Sequence, residues 1–203
     1  MRSVILWLLV VLLDVGAVYA QSYTAELAKQ REKYKAEFLS DDKSPLSKNE
    51  LKHLRFYQAD STWKLSARFE RLVDTVGFMM QTHSGVEKKY FFFGRLAFMH
   101  EGIQRILFVY IGEKLMHTPG FEDYLFVPFT DATNYTETFG GGRYIDLRTG
   151  DIRNGEITLD FNKAYNPYCA YKGGYNCPIP PAENKMPFPI RAGEKLFANP
   201  PKE

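Results

Sequence analysis

From residue 64 onward the chain is a succession of short apolar and aromatic runs, each closed by Gly, Pro, Asn or Asp. They fall at residues 64–72, 75–82, 89–99, 103–111, 124–129, 142–147, 156–161 and 187–192. No helical pattern alternates with them, so βαβ units and a parallel sheet are disfavoured. The chain holds 16 Phe and 13 Tyr, residue types that fit a pleated, half-buried surface. The expected fold is mainly β: an antiparallel barrel or sandwich of about eight strands. His100-Glu101-Gly102 separates two runs and predicts the tip of a β-hairpin. Within 89–99, a period of two puts Phe92, Leu96 and Phe98 on one face.

A helical lead-in over residues 22–56 precedes the β core, which spans 62–197. Tyr23, Leu27, Tyr34 and Phe38 recur at spacings that form one stripe of an amphipathic helix over 23–39, to be packed on the domain. Ser44-Pro45 ends it. Ser47 and Glu50 then have capping-box spacing, with Leu46 and Leu51 placed as a hydrophobic staple, predicting a short second helix. Asn162 to Met186 is the longest irregular stretch. Loops of that length in a compact domain are usually functional or mobile.

Residues 1–20 read as a secretory signal: basic Arg2, an apolar run from Val4 to Leu13, and the small-residue cleavage site Val18-Tyr19-Ala20. That run is too short to cross a hydrocarbon core of about 30 Å. The expected protein is exported, periplasmic or extracellular, begins at Gln21, has no stable membrane insertion after cleavage, and forms one domain over 21–203. Cleavage removes one charge of each sign and leaves the net charge at +2. A balance so near neutral gives no electrostatic footprint for nucleic acid.

The residues able to do chemistry gather in the last third. If the strands at 142–147 and 156–161 pair, Tyr144, Asp146, Thr158, Asp160 and Asn162 share one polar face. That face is either solvated or the floor of a ligand pocket. Gly140-Gly141-Gly142 ahead of Arg143 reads as a bulge or tight turn, or as a close approach to an anion that Arg143 grips. Cys169 and Cys177 are the only cysteines. Export favours a disulfide; free thiols and a metal site are the alternatives. A metal would need two further ligands, and no His lies within about fifty residues. No metal and no cofactor is expected. Asn134-Tyr135-Thr136 is a glycosylation sequon. No G-x-S-x-G elbow and no H-E-x-x-H is present.

These segments resemble the bacterial and archaeal family called domain of unknown function 1684. The resemblance lies in F-x-P-F-x-D-x-T (Phe126 to Thr133), E-T-x-G-G-G-R-Y (Glu137 to Tyr144), D-F-N-x-A-Y-N-P-x-C-A (Asp160 to Ala170) and C-P-x-P-P-x-E-N (Cys177 to Asn184). It covers about residues 38–197 and implies no activity. Some relatives lack an export signal while keeping the cysteine pair, so the thiol and metal readings stay open.

Three functions follow as expectations. The first is a binding module for a small polar or anionic ligand, lined by Asp131, Arg143, Tyr144, Asp160, Asn162, Tyr165 and Asn166, with the 162–186 loop as a wall. The second is a hydrolase or lyase using Asp131, Asp160 or Glu183 as acid or base and Arg143 as electrophile. The third is a structural or partner-binding envelope protein.

Overall fold

A computed structural model describes residues 2–198, with side chains from Gln21 onward. The expected cleavage site at Val18-Tyr19-Ala20 therefore lies outside the residues whose side chains are described. Among the described residues, no helix is long and apolar enough to cross a membrane.

The molecule is a mainly antiparallel β half-barrel of seven strands. These are β1 (Lys64–Arg71), β2 (Phe78–Met80), β3 (Lys88–His100), β4 (Ile103–Gly112), β5 (Tyr124–Phe129), β6 (Arg143–Arg148) and β7 (Glu156–Asp160). Their order is β6-β5-β4-β3-β1-β7, with β2 beside β3. Two α-helices accompany them, α1 (Arg2–Ser40) and the single turn α2 (Glu113–Met116).

The β3–β4 hairpin forms as its sequence predicts. His100 pairs with Ile103, and the two tip residues take positive φ, 50° at Glu101 and 74° at Gly102. A turn of this hand matches the twist of the flanking strands. The shared face expected for Phe92, Leu96 and Phe98 does not form. The pairing register shifts between Phe92 and Gly94, and one extra residue reverses the parity of everything beyond it. Leu96 and Phe98 enter the main core, while Phe92 joins Phe78, Phe108 and Tyr110 in another cluster. Gly94 permits the bulge: a Cβ there would stand 2.4 Å from the Phe69 ring.

The eighth expected strand, 187–192, forms no ladder: the chain bends at Pro187 and Phe188 and continues as irregular backbone. Pro187 and Pro189 have no N–H to give to a ladder. The segment instead covers the main core, burying Ile190 and Ala192 against Leu96, Val127 and Phe129. The capping-box segment gives a 3-10 turn, Leu51–His53, in place of a helix. Only half the box closes: Glu50 Oε2 accepts from Ser47 N at 2.8 Å and Ser47 Oγ at 2.7 Å. The staple residues Leu46 and Leu51 both pack under α1.

The α1 stripe faces the body. Tyr23, Leu27 and Phe38 are buried. Tyr23 Oη donates to both Asp160 oxygens, at 2.9 and 3.0 Å. Tyr34 lies at the edge of a cluster formed by Phe38, Leu54, Ala170, Tyr171 and Phe197. The helix therefore closes over the 162–186 segment and becomes one side of the site.

Candidate functional site

The condition for one shared polar face, pairing of β6 with β7, is not met: the two are the ends of the strand path. Their facing edges still share a cleft of about 380 Å³, lined by Asp146, Asp151, Arg153, Thr158, Asp160 and Lys163 among others. Asp146 and Lys163 also border a larger cavity of about 620 Å³. Its walls come from α1 (Tyr34, Phe38), β6 (Tyr144) and the 162–186 segment (Tyr165, Tyr168, Tyr175).

Asp146 is the polar centre of this cavity. Its Oδ1 accepts from Tyr124 Oη and Tyr165 Oη, each at 2.7 Å. Among the described residues, none donates to its Oδ2 and none forms an ion pair with it. Asp146 is solvent-exposed as a residue, at the open side of a hollow whose protein walls still displace part of its water. That loss of bulk water pushes its pKa above the ordinary Asp value, while the two phenol donors pull it back. An acid so placed can orient a ligand or carry a proton.

The 162–186 wall is pinned by a disulfide between Cys169 and Cys177, whose Cα atoms are 6.2 Å apart. Cys177 itself borders the cavity. Closing this loop contributes roughly 2.5 kcal/mol on the chain-entropy estimate. Reduction is therefore expected to lower stability in a urea melt by about that amount, and a Cys169→Ser/Cys177→Ser variant to match it.

The other expected site residues lie elsewhere. Arg143 is fully buried and lines neither cavity. Its Nη2 donates to Asp131 Oδ2 and to the Ile190 carbonyl, both at 2.8 Å. Its Nη1 donates to the Glu194 carbonyl at 3.2 Å and to that of Ala192. Asp131 is spent as well: Oδ1 accepts from Thr133 N, Thr133 Oγ1 and Ile190 N. Tyr135, Phe139 and Pro180 occupy the space that a side chain at Gly140, Gly141 or Gly142 would need.

Asp160 is buried beneath Tyr23, and Asn162 is tied to the backbone of Asp60 in both directions. Asn166 donates from Nδ2 to the Lys195 carbonyl and from its backbone to Glu194 Oε2, both at 2.9 Å. Glu183 is exposed on a 3-10 turn. Of the expected ligand-binding residues, Tyr144 and Tyr165 line the larger cavity and Asp160 the smaller. The sequon amide is committed too: Asn134 Nδ2 donates to the Phe139 carbonyl at 2.6 Å, and Oδ1 accepts from Asp131 N.

Sequence reasoning missed Glu194. It is fully buried and accepts from Tyr171 Oη at 2.7 Å, Asn166 N at 2.9 Å and Tyr34 Oη at 3.1 Å. Burial raises its pKa to about 7, against these donors. Nothing adjacent in the sequence marks it, because its partners come from residues 34, 166 and 171. Tyr34 thus joins the cavity wall to a buried acid.

A family model described as a protein of unknown function (DUF1684) matches residues 49–195. The chain belongs to the DUF1684 family. That match includes Asp146, Lys163 and the cysteine pair, and leaves the α1 wall outside it. The fold is similar to the solution NMR structure of an uncharacterized protein from gene locus rrnAC0354 of Haloarcula marismortui. The two share 28% identity at a TM-score of 0.67, over 86% of this chain and 95% of that one. A search of the curated proteins found no match.

Proposed function

We infer that this DUF1684 protein is an exported binding module that holds a small polar ligand in the cavity between α1, β6 and the disulfide-pinned segment. The observation that carries the reading is Asp146: an acid with one oxygen fixed by two phenols and the other free, inside an aromatic-walled hollow of about 620 Å³. Such a volume suits a small molecule, and a few convergent polar groups on apolar walls are the usual form of such sites. Export rests on Arg2, the apolar run and the small-residue site at Ala20. The disulfide is compatible with an oxidising compartment.

Native mass spectrometry of protein purified from its own compartment is the direct test. A bound small molecule is expected on the wild type and absent from Asp146→Asn. N-terminal sequencing of the same sample is expected to begin at Gln21. A chain that starts upstream of Gln21 removes the export half of the reading. Retention of the same ligand by Asp146→Asn removes the other half.

The hydrolase or lyase reading draws on one observation, the raised pKa of Asp146 in a cavity that Glu37 also lines. It requires a substrate consumed by the wild type and bound but unchanged by Asp146→Asn.

A further inference from the structure

Six aromatic rings form a continuous arc around the larger cavity. Tyr144 meets Tyr165 at a centroid distance of 5.8 Å, Tyr165 meets Tyr34 at 5.9 Å, and Tyr34 meets Phe38 at 5.1 Å. Phe38 meets Tyr168 at 5.5 Å, and Tyr168 meets Tyr175 at 5.3 Å. All five hydroxyls in the arc are held by protein groups. Tyr165 donates to Asp146, Tyr168 to Asp41, Tyr175 to the Lys43 carbonyl and Tyr144 to the Pro178 carbonyl. Tyr34 is held by Tyr171 and Glu194. With those hydrogens spent, the arc offers a ligand electron-rich ring faces and oxygen lone pairs, and few donors. Surfaces of this kind attract ammonium groups.

The charges lining the cavity are balanced in sign: Asp146 and Glu37 against Lys88 and Lys163. Among the described residues, none of these acids pairs with either lysine. Glu37 reaches only Lys33, at 3.9 Å on the exposed side of α1. Lys88 Nζ makes one hydrogen bond, to the Asn176 carbonyl at 2.6 Å, which leaves two of its three donors for a ligand. Desolvation by the surrounding walls weakens the charged form at both ends, although Asp146 as a residue is exposed and Lys88 half-buried. It raises the Asp146 pKa, with the nearby charge of Glu37 adding to the rise. It lowers that of Lys88, with the charge of Lys114 adding to the fall. A cation alone would answer Asp146 and leave Lys88 unpaired, and an anion alone would do the reverse. A ligand bearing both charges answers both.

We propose that this cavity takes a small zwitterion of the amino acid or dipeptide class, its ammonium held by Asp146 within the tyrosine arc and its carboxylate by Lys88. The proposal rests on the binding reading above, and its test separates the two. The mature protein is titrated by calorimetry, after denaturation and refolding to strip any bound ligand. The probes are glycylglycine, L-glutamine and glycine betaine, with choline, acetate and glucose as comparisons.

At least one zwitterion is expected to bind, with no comparison compound matching it. Asp146→Asn and Lys88→Gln are each expected to weaken that binding tenfold or more, and far-UV circular dichroism confirms that both variants remain folded. Binding of choline or glucose that depends on Asp146 and ignores Lys88 overturns the zwitterion and leaves the binding reading standing. Failure of every zwitterion overturns the proposal. If the protein from its native compartment also carries no ligand, the binding reading falls with it.

Discussion

Replacing Arg143 with Leu is expected to lower the unfolding free energy by about 3–5 kcal/mol, a large part of the stability of a domain this size. Arg143 and Asp131 have side chains with no solvent exposure and sit 2.8 Å apart. Removing the guanidinium leaves the Asp131 carboxylate charged and buried, with only Thr133 and the Ile190 amide to hold it. It also deprives the carbonyls of Ile190, Ala192 and Glu194 of their donor. Those carbonyls belong to the irregular segment that covers the main core, so the loss is expected to loosen 186–194 first. Urea denaturation followed by circular dichroism gives the number. A change below about 1 kcal/mol would mean that the pair is no more than a surface-type contact. Neutralising both members, as Asp131→Asn with Arg143→Met, is expected to cost less than Arg143→Leu alone, because no charge is then stranded.

The protein is also expected to lose stability as the pH rises from about 4.5 to about 7, and Glu194→Gln to remove most of that slope. The folded-state pKa of Glu194 is raised from 4.5 to about 7. Below 4.5 the carboxyl is protonated whether the chain is folded or not, and this group confers no pH dependence. Between the two values the unfolded chain releases the proton and the folded chain keeps it, so folding is progressively opposed. Above 7 both states are ionised and the loss is complete, at about 3 kcal/mol. Thermal melts of the wild type and Glu194→Gln from pH 4.5 to 8 make the comparison. Parallel curves across that range would show that Glu194 is ionised throughout.

Much of the β architecture is legible in the chain, because period-two alternation and turn residues act locally. Glu101-Gly102 sets the hairpin turn, and Tyr23, Leu27, Tyr34 and Phe38 set the inner side of α1. Local pattern fails where one residue changes parity, as at the Gly94 bulge, and where proline forbids a ladder, as at Pro187 and Pro189. The candidate site is less legible for a different reason. Arg143 alternates in step with Ile145 and Leu147, so its period already points inward. Whether an inward cation serves a ligand or the fold depends on which carbonyls approach it, and those come from residues 190–194. Asp146 was visible as an outward polar residue of β6. Its importance comes from the hydroxyls of Tyr124 and Tyr165 and from a helix more than a hundred positions away. Glu194 is invisible for the same reason.

The clasp between Tyr34 and Glu194 joins residues 160 positions apart, and Tyr23 reaches Asp160 across 137. The contacts that hold α1 in place are therefore set far along the chain, at Asp160 and Glu194, as well as nearby at Leu46, Leu54 and the Tyr57 carbonyl. A chain that lacks Glu194 loses the Tyr34 clasp and the buried acid beneath it, while the seven strands, all within residues 64–160, keep the residues through which they pair.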